Sequence, residues 1–425
     1  MKHFEEHVED VSLILDEEEC SDTKQTDMIL DVGDRPPLLQ WLFLSFQHVF
    51  AMFGATILVP TLTGLPVSVA LFASGVGTLI YTFVTKRKVP VYLGSSFAYI
   101  SAVVIAIKAM GGSVDAAQTG LMLVGVIYVV VALIVRVIGK EWIDKLLPPI
   151  VIGPMIAVIG LGLAANAVSN AQFIKDGDPR AMIVAIVTFL IAILGGYVLS
   201  LCLGLVDFQA VVNAKWLSFP DFILPFKIGN FRTYNLYFGP ETLAILPVAL
   251  VTISEHIGDH TVLGKICGRN FLKDPGLERT LMGDGIATAV SAFLGGPANT
   301  TYGENTGVIG MTKISSVYVT GGAACIAILL SCVGKISAFI STIPACVLGG
   351  MSILLYGVIA SNGLRVLVDN KIDFGKQRNL VIASAMLVIG LGGAILPVGS
   401  FMTLSGTALS ALVGIILNLI LPKAS

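Results

Sequence analysis

GGPANTTYGENTG, at residues 295–307, interrupts an apolar part of the chain with glycine, proline and small polar side chains. PVYLGSSFAYIS, at residues 90–101, makes a second interruption of the same kind. Pro297 and Pro90 disfavour helical backbone around them, so both stretches are expected to contain extended residues. Non-helical backbone survives at membrane depth only where protein buries it or where it lines a cavity. The two stretches are therefore predicted to be broken segments inside a membrane protein.

The sequence around these interruptions is strongly apolar. Of 425 residues, 55% are hydrophobic and only 13% are charged, whereas soluble domains average about 25% charged residues. A bilayer-spanning helix needs roughly 20 mostly apolar residues. Apolar stretches lie near residues 40–60, 67–85, 90–110, 118–138, 149–170, 181–206, 240–258, 281–296, 302–314, 316–333, 343–368, 379–394 and 404–421. The composition excludes a soluble enzyme, a nucleic-acid binder and a secreted disulfide scaffold, and it predicts an all-α polytopic membrane protein.

The two halves of the chain repeat one pattern. The first apolar stretch carries His48 in SFQHVFAMFGA, and the seventh carries His256 in TISEHIGDH. Phe97 in the first interruption follows His48 by 49 residues, and Asn305 in the second follows His256 by the same 49. A polar helix followed at equal spacing by a broken segment is typical of repeat-built secondary transporters, which bind substrate at the midplane between discontinuous helices.

Basic residues predict the orientation in the membrane. They cluster in the short loops at 86–88, 136–145, 265–279 and 365–378, whereas the loop at 61–68 has no charge. Because short cytoplasmic loops carry an excess of Lys and Arg, these basic loops and the N-terminus are predicted to be cytoplasmic.

Residues 1–34 hold 12 acidic and 2 basic side chains, and they lack the basic start and apolar core of a signal peptide. We interpret them as a disordered, solvated cytoplasmic tail.

One stretch conflicts with this topology. The loop at 171–180 is expected outside and the loop at 265–279 inside, so an odd number of crossings must separate them. Two apolar stretches do so, 181–206 and 240–258. The first has Gly195–Gly196 near its middle and is too short for two full spans. Two half-helices of about 13 residues in a re-entrant hairpin would restore the parity; an irregular tilted element, or deletion of part of an ancestral helix pair, is the other interpretation.

Two carboxylates lie in apolar sequence. A carboxylate at the bilayer centre costs at least about 2.5 kcal/mol, so Glu255 and Glu304 are candidate functional residues. The alternatives are a structural partner of His256 for Glu255, and a helix-capping or loop carboxylate for Glu304. His48 is as well explained by a bond to a neighbouring helix as by a ligand contact.

Three further polar residues are weaker candidates. Asp259 and His260 follow Glu255 by about one turn, and solvated residues at the cytoplasmic edge are the favoured interpretation. Asp284 either helps to pack the broken segments or has no such role. The six cysteines form no CxxC pair, which predicts neither a structural metal nor disulfides.

ENTGVIGMTK (304–313) fits the signature of the nucleobase–ascorbate transporter family: Glu/Gln/Pro, Asn, any residue, Gly, four residues, Thr, then Lys/Arg. The chain resembles this family, and within it the bacterial proton-coupled uracil transporters, from about residue 35 to its end. The further motifs that carry the resemblance are QHVFAMFGATILVP (47–60), YLGSSFAYIS (92–101), SEHIGDH (254–260), NTTYGENTG (299–307) and LLYGVIASNGLRVL (354–367).

The resemblance implies a fold of fourteen segments in two inverted repeats, with two short antiparallel strands in the broken helices. One transporter domain would span residues 35–425. Its core domain would comprise about 40–138 and 240–333, and its gate domain about 149–206 and 343–421. A homodimer in the inner membrane of a bacterial cell is also implied.

The resemblance also implies the substrate site. By position, Glu255 and Glu304 would contact the base, with Phe97 and Tyr302 nearby. Backbone at Ala55, Phe97 and Gly303 would add contacts, and His48 would support the site from the first segment. The residues placed for proton coupling are Glu255, His256, Asp259 and His260.

Two features depart from the family. The family has two helices where this chain has only 181–206, so about 13 apolar segments replace fourteen. Related uracil transporters carry His one turn after the first glutamate, where this chain has Asp259, and the histidine stands at His260 instead.

The predicted function is import of uracil by proton symport, with no cofactor and no enzymatic activity. An ionised carboxylate only accepts hydrogen bonds, so Glu304 suits a ring N–H of a pyrimidine, whereas Gln would better fit a purine edge. A xanthine or urate permease of the same fold is the alternative. A nucleobase-binding membrane protein that does not transport, because the gate helix region 181–206 is short, is another. No phosphate-binding loop that would indicate ATP-driven transport is found.

Overall fold

The computed structural model describes residues 28–398 and 402–422. Six of its helical stretches are long and apolar enough to span a membrane, when the helices within Pro149–Asn170 and those within Pro240–Cys267 are each counted as one stretch, and six apolar helices are shorter. The helices of the first half are α1 (Leu38–Thr63), α2 (Val67–Val84), α3 (Ile100–Ala109), α4 (Asp115–Ile138), α5 (Glu141–Leu146), α6 (Pro149–Gly162), α7 (Ala164–Asn170), α8 (Pro179–Ile191), α9 (Ile193–Cys202) and α10 (Gln209–Asn213). Those of the second half are α11 (Pro240–Leu243), α12 (Val248–Cys267), α13 (Leu277–Phe293), α14 (Gly303–Thr312), α15 (Val317–Ser331), α16 (Gly334–Ser341), α17 (Ala345–Asp369), α18 (Gln377–Leu391) and α19 (Gly406–Ile420). The prediction of an all-α polytopic protein is confirmed.

Both predicted interruptions contain a strand followed by a half-helix. β1 (Leu93–Ser95) leads through a 3-10 turn (Phe97–Tyr99) into α3, and a strand at Asn299–Thr301 leads into α14. The two strands pair antiparallel, with Gly94 opposite Thr300. The prediction of extended residues in both interruptions is confirmed, and each strand is three residues long. Phe97 and Gly303 already belong to helical turns, because each half-helix begins as soon as the strand pairing ends.

The remaining strands lie outside the centre of the bundle. In chain order, the strand Asn299–Thr301 that pairs with β1 is β4. Of the others, β2 (Ile223–Leu224) pairs parallel with β3 (Arg232–Thr233), and β5 (Ile395–Val398) pairs antiparallel with β6 (Met402–Ser405).

The helices pack in two groups. In the core bundle, α4 and α2 pack against α13, and α1 and α2 pack against α15. In the gate bundle, α17 packs against α6, α7 and α8, and α6 also packs against α18 and α19. Helix α12 of the core bundle contacts α6 and α19, and α1 contacts α17. The broken segments therefore lie inside the core bundle, beside the surface that it shares with the gate bundle.

The stretch that conflicted with the predicted topology is a helical hairpin. Helices α8 and α9 are joined by the single residue Ala192, whose φ of 95° is in the left-handed region. Gly196 of α9 packs on Thr188 of α8, so closely that a Cβ there would lie 2.9 Å from the Thr188 Cβ. Residues eight apart in one straight helix are about 12 Å apart, so the chain reverses at Ala192. The prediction of two half-helices is confirmed, and the hairpin adds no crossing.

Residues 28–34, the end of the acidic tail, run along the connection between α14 and α15. The Ile29 N–H donates to Lys313 O (2.8 Å), the Ser315 N–H donates to Leu30 O (2.9 Å), and Val32 is buried. An ion pair joins Arg269 to Asp31 at 2.5 Å. Residues 1–27, for which a disordered tail is predicted, lie outside the described residues.

Candidate functional site

Two half-helices begin side by side next to the strand pair. The Ser96 N–H, just before the 3-10 turn, donates to Ala298 O (2.8 Å), and the Tyr302 N–H, just before α14, donates to Tyr92 O (3.1 Å). The first N–H groups of a helix have no partner within it, and they carry partial positive charge. The arrangement therefore offers hydrogen-bond donors to a carbonyl or an anion at the centre of the bundle.

His48 fixes one of these half-helices to α1. The Asn305 amide nitrogen is 3.0 Å from His48 Nδ1, and it also donates to the His48 carbonyl at 3.1 Å. Because an amide nitrogen only donates, Nδ1 accepts and the neutral imidazole carries its hydrogen on Nε2. His48 is 2% exposed. It is thus a helix-to-helix contact that keeps one N–H available, and Ala55 lies buried two turns further along α1.

Glu255 and Glu304 are brought onto neighbouring helices. Glu255 is half-buried in α12, which packs against α14, and Glu304 is the half-buried second residue of α14. The Oε2 atom of Glu255 is buried without a hydrogen-bond partner. Within the described residues, no basic side chain forms an ion pair with either carboxylate. Both can therefore accept hydrogen bonds from a ligand.

Asp259 and His260 are not solvated edge residues, and that interpretation is wrong for both. The hydroxyl of Thr301 in β4 donates to the half-buried Asp259 carboxylate. His260 is fully buried and its Nδ1–H donates to the His256 carbonyl at 2.7 Å. Its Nε2 accepts from the Tyr81 hydroxyl of α2. Helix α12 continues as a packed helix to Cys267, so residues one turn beyond Glu255 still lie deep in the bundle.

His256 faces away from the Glu255 side of α12 and pairs with Asp284 of α13. The distance from His256 Nδ1 to the carboxylate is 2.8 Å, and both side chains are 0% exposed. The His256 ring also stacks on His260 at 4.0 Å. The structure thus places Asp284 as a partner of His256, which the sequence left open.

Phe97 lies against the gate bundle. Its ring meets that of Tyr356 of α17 at 5.9 Å between centroids, and the Tyr356 hydroxyl is buried without a partner. Tyr302 points the other way, and its hydroxyl donates to Ser95 O at 3.1 Å. Gly303 lies near Asn362 of α17, whose Nδ2 would be 3.5 Å from a Cβ at that position.

Sequence reasoning missed Tyr356 and the partner role of Asn305. Tyr356 lies in the family motif at 354–367, but nothing in an apolar stretch indicates which of its side chains faces the site.

A small cavity lies beside Phe97. It holds about 60 Å³ between the start of α3 and helices α6, α18 and α19 of the gate bundle. A water needs about 10–15 Å³ of such space. The surface shared by the two bundles therefore has room for a few small groups next to the start of the first half-helix.

The fold and this site define a multi-pass membrane transporter built from two repeats. The sequence model of the Permease family matches residues 39–188 and 180–399, and the chain belongs to this family. The two matches overlap at 180–188, within α8, at the start of the short hairpin.

Relatives cover nearly the whole chain. It is 52% identical over 416 residues to the uracil permease of Bacillus caldolyticus (93% of this chain, 95% of the relative). It is 48% identical over 429 residues to that of Bacillus subtilis strain 168 (93% and 95%), and 42% identical over 414 residues to that of Escherichia coli K12 (92% and 93%). The predicted membership of a nucleobase permease family is confirmed.

Solved structures share the fold at low identity. The transmembrane domain of the cyanobacterial bicarbonate transporter BicA aligns with a TM-score of 0.61 at 15% identity, over 91% of this chain and 98% of that one. SLC26A9 aligns with a TM-score of 0.65 at 11% identity, over 90% and 65%. These similarities concern the fold alone, and they confirm the predicted core and gate architecture.

Proposed function

We propose that the protein imports uracil by proton symport. The observation that carries the proposal is the pair of carboxylates without cationic partners, Glu255 and Glu304, beside two half-helix N-termini. Uracil permeases named as such at 42–52% identity support the choice of substrate. The basic loops support an N-terminus in the cytoplasm, and the bacterial relatives support a location in the bacterial inner membrane.

The chemistry of the site matches a pyrimidine. Uracil has two N–H donors and two carbonyl acceptors. Glu304, when ionised, supplies an acceptor for one N–H group, because an ionised carboxylate has no donor. Glu255 supplies a second acceptor through its carbonyl oxygen, which it keeps when it carries a proton. The first N–H groups of the two half-helices, near Phe97 and Gly303, supply donors for the carbonyls. His48, through Nε2–H, is a further donor on the α1 side.

Glu255 is the residue we assign to proton coupling. Glu255 is half-buried and its Oε2 atom is buried without a partner; holding a charge there is costly, and binding a proton lowers that cost. Glu255 can therefore bind a proton in the closed site and release it where the site meets water. Asp259, one turn away and bonded to Thr301 of β4, and His256 and His260 behind it would shape the surroundings of that proton.

Uptake into proteoliposomes tests the proposal. Labelled uracil should accumulate under an inward proton gradient, and it should not accumulate when the gradient is dissipated. Excess unlabelled uracil should abolish uptake of the label, whereas excess xanthine should leave that uptake unchanged. Inhibition by xanthine would favour the alternative of a purine permease. Accumulation without a proton gradient would refute symport, and binding without any uptake would favour a protein that does not transport.

A further inference from the structure

The α8–α9 hairpin is too short to cross a bilayer. At 1.5 Å per residue its arms of 13 and 10 residues are about 20 and 15 Å long, against about 30 Å of hydrocarbon. Its two ends lie on the same side, and its tip is Ala192–Ile193. The apolar side chains at the tip that face outward, Ile191 and Leu194, are each 68% exposed, as expected for contact with lipid.

The tip reaches the helix that carries the site. A Cβ on Gly54 of α1 would lie 3.4 Å from Ile193 Cδ1 and 2.9 Å from the Sδ of Met351 in α17. Gly54 precedes Ala55 and is less than two turns from His48. Gly54 is nine residues before the end of α1 at Thr63, about 14 Å below that end. An arm of about 15 Å therefore brings the tip to the depth of Gly54.

The arms themselves are fastened within the gate bundle. Ala185 of α8 packs on Gly350 of α17, where a Cβ would lie 3.0 Å from the Ala185 Cα. Helix α9 also packs against α17, and its Tyr197 hydroxyl bonds at 2.7 Å to Thr342 Oγ1, three residues before α17 begins. The hairpin thus belongs to one bundle while its tip touches the other.

We propose that the hairpin tip is an external gate of the substrate site. This inference rests on the proposed transport function and on the orientation assigned from the basic loops, which places the ends of the hairpin outside. Ile193 closes against Gly54 and shuts the outer route to the site. The tip and α1 must separate for a nucleobase to enter from outside. Gly54 is suited to this contact because it lacks a side chain that would hold the tip away.

The test is a reversible cross-link between the tip and α1. Gly54→Cys and Ile193→Cys are combined in a chain whose six native cysteines are replaced by Ala, and the pair is joined with a short reducible cross-linker. Cross-linking should abolish uracil uptake, and reduction should restore it. Tyr197→Cys with Thr342→Cys, joined in the same way, is the matched control within the gate bundle and should keep its uptake.

Unchanged uptake by the Gly54–Ile193 cross-linked protein would overturn the gate. Failure of the proposed function looks different, because the reduced protein would then show no uracil uptake at all. A second variant covers loss of folding: Ile193→Ala alone removes the side chain at the contact. It should increase uracil exchange from the outside, and unchanged exchange would also overturn the gate.

Discussion

Replacing Glu304 with glutamine keeps the size of the side chain but turns one acceptor oxygen into a donor. Within the described residues the Glu304 carboxylate makes no bond to another residue and accepts only from its own backbone N–H. A hydrogen bond to a charged group contributes about 1.5–3 kcal/mol. Since 1.4 kcal/mol is a factor of ten, uracil should bind to Glu304→Gln about 10- to 150-fold more weakly.

Titration calorimetry on the purified protein measures this loss directly. Glu304 is also in the first turn of α14, where a negative charge stabilises the helix by about 0.3–1 kcal/mol. The melting temperature therefore has to be recorded alongside the affinity. Glu241→Gln is the matched control, because Glu241 accepts from Tyr237 at 2.9 Å, outside the site. Uracil affinity unchanged in Glu304→Gln would remove Glu304 from the site and refute the reasoning.

Three further variants test other parts of the structure. Glu255→Gln should lose accumulation driven by a proton gradient but keep exchange of labelled for unlabelled uracil, and normal accumulation would shift the coupling to Glu304 or to the Asp259–His260 pair. Gly196→Val should lower the free energy of unfolding by about 1–3 kcal/mol because it overpacks the contact with α8. Gly321→Ala is the control, since its Cβ would meet nothing within 4 Å. Equal melting temperatures of the two variants would contradict the hairpin. Asp31→Asn breaks an ion pair whose side chains are each 46% exposed, so thermal unfolding should report a loss below about 1 kcal/mol. A larger loss would show that the 28–34 segment stabilises the connection between α14 and α15.

Much of the fold follows from the sequence because the bilayer restricts it so strongly. Hydropathy places most helices within a few residues, and the equal spacing from His48 to Phe97 and from His256 to Asn305 locates both broken segments. The boundary between strand and helix within those segments could not be predicted from the sequence. Whether Gly303 ends a strand or begins a helix depends on where the pairing of β1 with β4 stops, and that is a tertiary contact.

The candidate site divides in the same way. Glu255 and Glu304 can be found from sequence, since a carboxylate in an apolar stretch is costly in itself. The partners of the polar residues cannot be found from sequence, because they depend on which helices face each other. Asp259 bonds to Thr301 of β4, Asp284 to His256, and Asn305 to His48. His260 shows that distance along the chain does not predict burial, since it was expected at the cytoplasmic edge but is fully buried beside Tyr81.

The hairpin shows how a site can persist although the gate bundle is short. Removal of one whole crossing would invert every helix from α12 onward and would place the basic loop at 265–279 outside, against the charge rule. Shortening both members of a helix pair removes no net crossing, because the chain still enters and leaves on one side. Helices α12 and α14 then keep their orientation, and Glu255 and Glu304 keep their places beside the half-helix termini. The hairpin turns at Ala192, and Ile193 lies beside Gly54 of α1, so its tip meets the core bundle.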